Sequence, residues 1–348
     1  MRNLISITLI NVAFVCAELI PATCYGISEI NFAAEFEAHV VPFFNKGEFS
    51  RFPASNGKGS IYYGKFLVPN ELGAVVIVPG RSQPLVEYRE LIYDFAQEGF
   101  SVYIMDHFGQ GYSDRELSNP LIGHIETYDH YVEDFRTFME THVNPIEPVT
   151  SKPRHSKVYV FAHSMGAAVA KIYFGKYKPK VDAAKITAPM IDINLRGYHP
   201  LIVRVMIFKA WFTRSLENYV VGESDRSWEL RFHSKRADVQ STERLRITKK
   251  MLDENPTLRT SGPSVQWLSA TIEAGSTIKR LTPEINIPMI LTSATYDRAV
   301  KNIAHIKFSE RAPSCTLVMA ETAHDVMNAK DGARQLVFDS AVRFFKSH

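Results

Sequence analysis

The stretch KVYVFAHSMGAAVAK, residues 157–171, constrains the fold more than any other part of the chain. Val158, Tyr159, Val160 and Phe161 are β-branched or aromatic and suit a fully buried parallel strand, whereas Gly166, Ala167, Ala168 and Ala170 open a close-packed helix. The turn between them is therefore tight, with Ser164 at its apex. A strand-to-helix elbow strains its central residue and tolerates little bulk on either side, a demand that Ala162 and Gly166 meet. Against the pattern Gly-x-Ser-x-Gly, alanine stands in the first place, a difference of one methyl. Such an elbow lifts the serine hydroxyl above the sheet edge. It also aims the Met165 backbone N–H and the helix dipole at a developing oxyanion. The alternative is an ordinary buried serine in a strand-helix turn.

The segments on either side repeat the same rhythm. An apolar run at 74–78 predicts a buried strand, a Pro79-Gly80 break follows, 85–98 has helical spacing, and 101–105 is a second buried strand. Strand, helix, strand implies a parallel unit. After the loop HFGQGYSD and a helical segment at 128–142, the strand before Ser164 is the third of the set, with the serine at its carboxyl edge, where open α/β sheets place their sites. An early antiparallel strand or two is expected within 59–68, and a further parallel strand over 182–187. The rhythm then lapses from 190 to 282, where helical periods at 200–212, 244–252 and 265–274 predict an inserted cap. It resumes with a strand at 287–292, a helix at 300–309, a strand at 315–319 and a terminal helix over 331–345. The expected class is α/β, with a mostly parallel central sheet, helices on both faces and a core divided into 27–189 and 283–348 by the insertion.

The 348 residues are 45% hydrophobic and 22% charged, enough for one large core, and the formal charge of only +3 excludes the global field that nucleic-acid binding requires. Residues 1–26 do not read as core. Arg2 precedes an apolar run from Leu4 to Val15, and small residues follow at Cys16-Ala17 and at 22–24, the pattern of a secretory signal peptide. Cleavage sites after Ala17 and near Cys24 both fit. This predicts export, with an uncleaved membrane anchor as the alternative. Of the three cysteines only Cys315 falls in the body, so no disulfide framework is expected.

A nucleophilic serine needs a base, and the base needs an acid to fix its tautomer; on this sheet type their order along the chain is serine, acid, histidine. Asp297 follows the strand at 287–292 in the short loop SATYD, and His324 follows the strand at 315–319 in ETAHDVM. Both project from the edge that carries Ser164. Asp297 has an alternative role as helix N-cap, and His324 as a solvent-facing loop residue. His107 and His163 precede the acid, His233 and His305 lie in the cap and on a helix, and Glu284 lies before its strand. The second oxyanion donor is expected from VPGRS, with Gly80 permitting close approach and the Arg81 N–H donating. The Arg81 guanidinium is either a phosphate contact or a surface group. No ligand cluster at metal spacing occurs, so neither metal nor cofactor is expected.

These residues resemble those of the bacterial lysophospholipases in the monoacylglycerol lipase branch of the α/β hydrolases. The shared stretches run from VVIVPGRSQPLVEYRELIYDFAQEGFSVYIMDHFGQGYSDR through FAHSMGAAVA, ITAPM and NPTLRTSGPSVQWLSATIEAG to AHDVM. Together they cover about residues 74–348. HFGQG carries phenylalanine where the family more often has arginine. The resemblance implies an α/β-hydrolase fold, Ser164 as nucleophile, Asp297 as acid, His324 as base, and Arg81 and Met165 as oxyanion donors. It also implies a single-chain lipid ester as substrate. A small-ester esterase and a catalytically silent binding protein are the other readings. Gly80, His163, Phe208 and Trp211 are expected at the substrate site. In the cap, the run 201–212 is apolar nearly all round, with Leu201, Val205, Phe208 and Phe212 on one stripe. One stripe packing on the sheet domain leaves a second to line an acyl channel or meet a lipid surface; the alternative is a helix buried on both sides.

Overall fold

A computed structural model describes residues 26–148, 150–232 and 238–348, and within them eight strands form one sheet in the order β1-β2-β4-β3-β5-β6-β7-β8. The strands are β1 (Glu48–Pro53), β2 (Ser60–Phe66), β3 (Ala74–Val78), β4 (Ser101–Met105), β5 (Val158–His163), β6 (Ala183–Thr187), β7 (Met289–Ala294) and β8 (Cys315–Ala320). β2 pairs antiparallel with both β1 and β4, and every pairing from β4 to β8 is parallel. The mostly parallel sheet is the one expected. β1 adds an edge strand that the sequence does not announce. The segment assigned to 1–26, as leader or anchor, lies outside the described residues apart from Gly26.

Period-two alternation explains how one sheet supports two apolar layers. Val76, Val78, Val160 and Ala162 point to one face, where they meet the helices Tyr128–Thr137 and Ser164–Tyr177 through Val132, Phe135, Val169 and Tyr173. Val75, Ile77, Tyr159 and Phe161 point to the other, against Leu91, Ile92 and Phe95 of the helix Arg89–Gln97 and Val337, Phe338 and Phe345 of the terminal helix Asp331–Lys346. With both faces covered, the central strands contain no exposed residue.

The insertion between β6 and β7 does not behave as one body. The helix Val265–Leu281, read above as part of the cap, buries Trp267, Ala270, Ala274 and Ile278 in the same core as the elbow helix, so the sheet-flanking layer resumes well before residue 283. The helix Thr242–Glu254 docks on the opposite face, where Met251 and Leu252 join the second layer. The remaining part, with the helix Pro200–Phe212 and the 3-10 turn Ser227–Phe232, stands over the carboxyl ends of the strands.

The elbow helix sits against the end of β3 at a distance only glycine allows. A Cβ at Gly166 would stand 2.3 Å from the Val78 carbonyl oxygen and 2.4 Å from that of Pro79. Both obstacles are backbone and cannot swing aside. Gly166→Ala is therefore expected to lower stability by about 1–3 kcal/mol, the usual range for overpacking, measured by urea unfolding.

Candidate active site

Ser164 begins its helix at φ 49°, in the left-handed region, directly after His163 in extended conformation. A non-glycine residue holds that conformation only where surrounding contacts fix it. Here the Ser164 carbonyl accepts from the Met190 N–H at 3.0 Å, and Ala162 and His163 are paired into β6 opposite Ile186 and Thr187. The result is a serine hydroxyl raised above the sheet edge. As the helix starts at Ser164, the N–H groups of its first turn have no acceptor four residues back.

Asp297 and His324 come to this hydroxyl from the loops after β7 and β8. His324 Nε2 lies 2.8 Å from Ser164 Oγ, and His324 Nδ1 lies 2.7 Å from Asp297 Oδ2. The other carboxylate oxygen of Asp297 accepts from the N–H groups of Ala299 and Val300, at 2.8 and 3.0 Å. Asp297 thus divides its oxygens between the His324 imidazole and the turn at Ala299 and Val300; the helix that follows starts at Asn302 with Lys301 as its N-cap, so the alternative role of helix cap is not the one it takes. Burial alone would raise the Asp297 pKa, but the charge and hydrogen bond of His324 and the two backbone donors outweigh it and hold the carboxyl below its ordinary value. For His324 burial acts downward, yet the charge and hydrogen bond of Asp297, aided by Asp325, lift its pKa above the ordinary imidazole value. Such a unit can take a proton from Ser164 and hold it.

The rival histidines have structural partners. His107 and His305 are buried and donate from Nε2 to the carbonyls of Pro79 and Pro189, at 3.0 and 2.8 Å, and burial takes each pKa down to about 4. His163 lies beneath His324, ring centroids 5.2 Å apart, with Nδ1 3.0 Å from Thr187 Oγ1; burial, then the neighbouring His324 charge, brings it to about 4. Glu284 pairs with Lys178 at 2.8 Å, and His233 lies outside the described residues.

The loop after β3 carries the second expected donor. The Gly80 N–H is already bonded to Tyr88 Oη at 3.0 Å, and a Cβ at Gly80 would collide with Gln83 Oε1 at 2.4 Å and His163 Cδ2 at 2.9 Å. Gly80 therefore makes room for its neighbours, and the cavity wall starts at Arg81. Among the described residues nothing accepts the Arg81 backbone N–H. The Arg81 guanidinium is neither a free surface group nor fully free for a ligand, since Nη1 donates to the Ser261 carbonyl at 2.7 Å and the group stacks 5.4 Å from the Trp267 ring centroid. Ser82, at φ 61°, donates its N–H to Gln110 Oε1. Gln110 and His107 thus brace the donor loop from HFGQGYSD, a role the glycine spacing of that loop did not disclose. Phe108 of the same loop is buried in the core.

Above Ser164 and His324 opens a cavity of about 1220 Å³. Its walls include Met190, Ile193, Val203, Met206, Ile207 and Trp267. His163 reaches its floor, but Phe208 and Trp211 do not line it. The sequence expectation for those two is corrected: Val203 and Ala210 are the buried side of the helix Pro200–Phe212, whereas Leu201, Val205, Phe208, Trp211 and Phe212 are 60–76% exposed. The stripe Leu201, Val205, Phe208 and Phe212 faces out, and the helix is not buried on both sides. Among the described residues no helix is long and apolar enough to cross a membrane, and no group of three metal-ligating side chains gathers.

The family model described as serine aminopeptidase, S33, matches residues 69–331. Lysophospholipase L2 of Escherichia coli strain K12 is 30% identical over 282 residues, which cover 79% of this chain and 80% of that protein. The chain belongs to the α/β-hydrolase family, among its bacterial lysophospholipases. The probable lysophospholipase L2 of Haemophilus influenzae is 27% identical over 271 residues, covering 78% of this hydrolase and 82% of the relative. A monoacylglycerol lipase of Paleococcus ferrophilus shares the fold with a TM-score of 0.62 at 19% identity, over 83% of this chain and 99% of its own. This hydrolase is accordingly an ester-hydrolysing enzyme.

His324 is expected to titrate above the ordinary imidazole value of about 6.5. Asp297→Asn removes the charge that holds it there and brings the value down. Histidine-resolved NMR titration of both proteins checks the sign.

Proposed function

We propose that the protein hydrolyses the carboxylic ester of a single-chain lipid, a lysophospholipid or monoacylglycerol, through an acyl-enzyme. The observation that carries this reading is the hydrogen-bonded series Ser164, His324, Asp297 at the floor of a large, mostly apolar cavity. In the first half-reaction His324 Nε2 takes the Ser164 hydroxyl proton as Oγ bonds to the ester carbon. The carbonyl oxygen becomes an oxyanion facing the N–H groups of Arg81 and Met165. As it collapses, the bond to the alcohol breaks, His324 returns the proton to the leaving oxygen, and Ser164 keeps the acyl group. Water then repeats the sequence, with its proton passing through His324, and releases the fatty acid and free Ser164. The cavity exceeds the usual range for small-molecule pockets, which fits an acyl chain.

Two further parts belong to the same proposal. The exposed apolar face of the helix Pro200–Phe212, flanked by exposed Arg204, Lys209 and Arg214, is read as resting on a lipid surface with the cations at headgroups. The charged and apolar order of residues 1–26 is read as an export signal or anchor. N-terminal sequencing of fractionated cells tests that part; Met1 retained on a cytosolic species refutes it.

Ser164→Ala and His324→Ala are each expected to cost on the order of 10⁴ to 10⁶ in kcat, non-additively, with Asp297→Asn milder. Hydrolysis of a lysophospholipid panel and fluorophosphonate labelling measure this. Wild-type protein that folds but neither labels nor turns over any lipid ester refutes the reading, while equal turnover of short soluble esters and lipids makes it a general esterase. Phe208→Ser combined with Trp211→Ser is expected to weaken binding to anionic phospholipid vesicles about tenfold or more, given roughly 1.5–3 kcal/mol per buried aromatic side chain. Short-ester hydrolysis should stay unchanged.

A further inference from the structure

The part of the insertion over the site sends one charged side chain down into the loops around it. Arg231, in the turn Ser227–Phe232, donates from Nη1 to the Ser82 carbonyl at 3.0 Å and to Glu87 Oε1 at 2.8 Å. Its Nη2 reaches Glu87 Oε2 at 2.7 Å and Asp325 Oδ2 at 3.1 Å. These acceptors lie on two different loops. Ser82 and Glu87 both follow Arg81 in the segment after β3, Glu87 in the 3-10 turn Leu85–Tyr88, and Asp325 follows His324 directly.

The rest of the contact set closes a ring. Asp325 also accepts from Asn328 Nδ2 at 2.9 Å and from Gln83 Nε2 at 3.3 Å. Gln83 Oε1 accepts from Tyr88 Oη at 2.8 Å, and Tyr88 Oη in turn accepts from the Gly80 N–H at 3.0 Å. From Arg231 the hydrogen bonds therefore run through Asp325, Gln83 and Tyr88 to Gly80, and the backbone from Gly80 through Arg81 to Ser82, whose carbonyl is bonded to Arg231, closes the ring. Ser82 is the left-handed residue of the turn, so its carbonyl direction is set by contacts and not by backbone preference. Glu87 is nearly inaccessible, and Arg231 and Asp325 are mostly covered. One planar guanidinium can serve a carbonyl and two carboxylates at once, which a point-like ammonium cannot.

We propose that Arg231 is a positioning residue, which fixes the loop after β3 and the loop after β8 relative to each other so that the Arg81 N–H and His324 Nε2 address the same carbonyl at Ser164. This rests on the assignment of Ser164 as nucleophile and His324 as base. Arg231 touches neither of them. It acts through Ser82, Glu87 and Asp325, and it makes the docking of the insertion a condition for a complete site.

The test compares wild type with Arg231→Lys, which keeps the charge but loses the fork, on a short soluble ester too small to need the cavity walls. The expected result is a kcat lowered by about 10- to 100-fold, the scale of a small misplacement of reacting groups, with KM and melting temperature near wild type and slower fluorophosphonate labelling to match. Should Arg231→Lys not fold, the double variant Arg231→Gln with Glu87→Gln, which removes one charge of each sign, carries the same measurement. Unchanged kcat on the short ester overturns the proposal. A raised KM at constant kcat also overturns it and makes Arg231 a substrate contact, and activity lost only in proportion to unfolded protein makes it a fold contact. Wild type that does not label at Ser164, with Ser164→Ala as control, removes the underlying assignment instead, an outcome independent of any Arg231 variant.

Discussion

The close approach of the elbow helix to the end of β3 sets the geometry of everything around Ser164. Because Gly166 leaves no Cβ under the carbonyls of Val78 and Pro79, the helix starts immediately at the strand ends, and Ser164 is forced into the left-handed region to connect them. The same contact brings the loop after β3 beside the first turn of the helix. The segment that leads to Arg81 thus starts against the turn that carries Met165. Donors fixed by backbone contacts need no rearrangement during a reaction, which is where electrostatic stabilisation is most effective.

Around this backbone contact the polar side chains are arranged as braces. His107 and His305 hold the carbonyls of Pro79 and Pro189, the residues just beyond the ends of β3 and β6. Burial keeps both neutral, so each can donate to a carbonyl without adding a charge near His324. His324 instead has its pKa raised, because the charge and hydrogen bond of Asp297, aided by Asp325, outweigh its burial. His107, His163, His305 and His324 gather near the carboxyl ends of the strands, and partner chemistry separates their roles.

What could be read from the sequence follows a physical division. Buried strands such as β3 and β5 are uninterrupted apolar runs, and the order serine, acid, histidine follows from the sheet topology, so the meeting of Ser164, Asp297 and His324 is legible in the sequence. β1 was not, because only Phe52 of EFSRFP is buried and an edge strand has no apolar alternation to show. The orientation of the helix Pro200–Phe212 was not legible either. A helix apolar nearly all round carries no preferred side, so nothing in residues 201–212 says that Val203 and Ala210 turn inward while Phe208 and Trp211 turn out. Arg231, Glu87 and Asp325 lie 144 and 94 residues apart in the chain, and no local pattern joins them.

The two surfaces of the insertion divide its interactions by type. Its outer helix leaves large apolar side chains uncovered, while its inner contact with the loops around the site is made through a guanidinium and two carboxylates. Paired charges buried in this way add little to stability compared with apolar residues of the same volume, because desolvation offsets most of their attraction. They do fix direction, since a bidentate guanidinium and carboxylate meet in one geometry only. Among the described residues, apolar packing of the part over the site is confined to small or single anchors, Val203 and Ala210 of the outer helix and Trp228 of the turn, while Phe208, Trp211 and Phe212 stay outside. The direction of the inner contact is thus set by hydrogen bonds, while the large apolar side chains of the outer helix take no part in it.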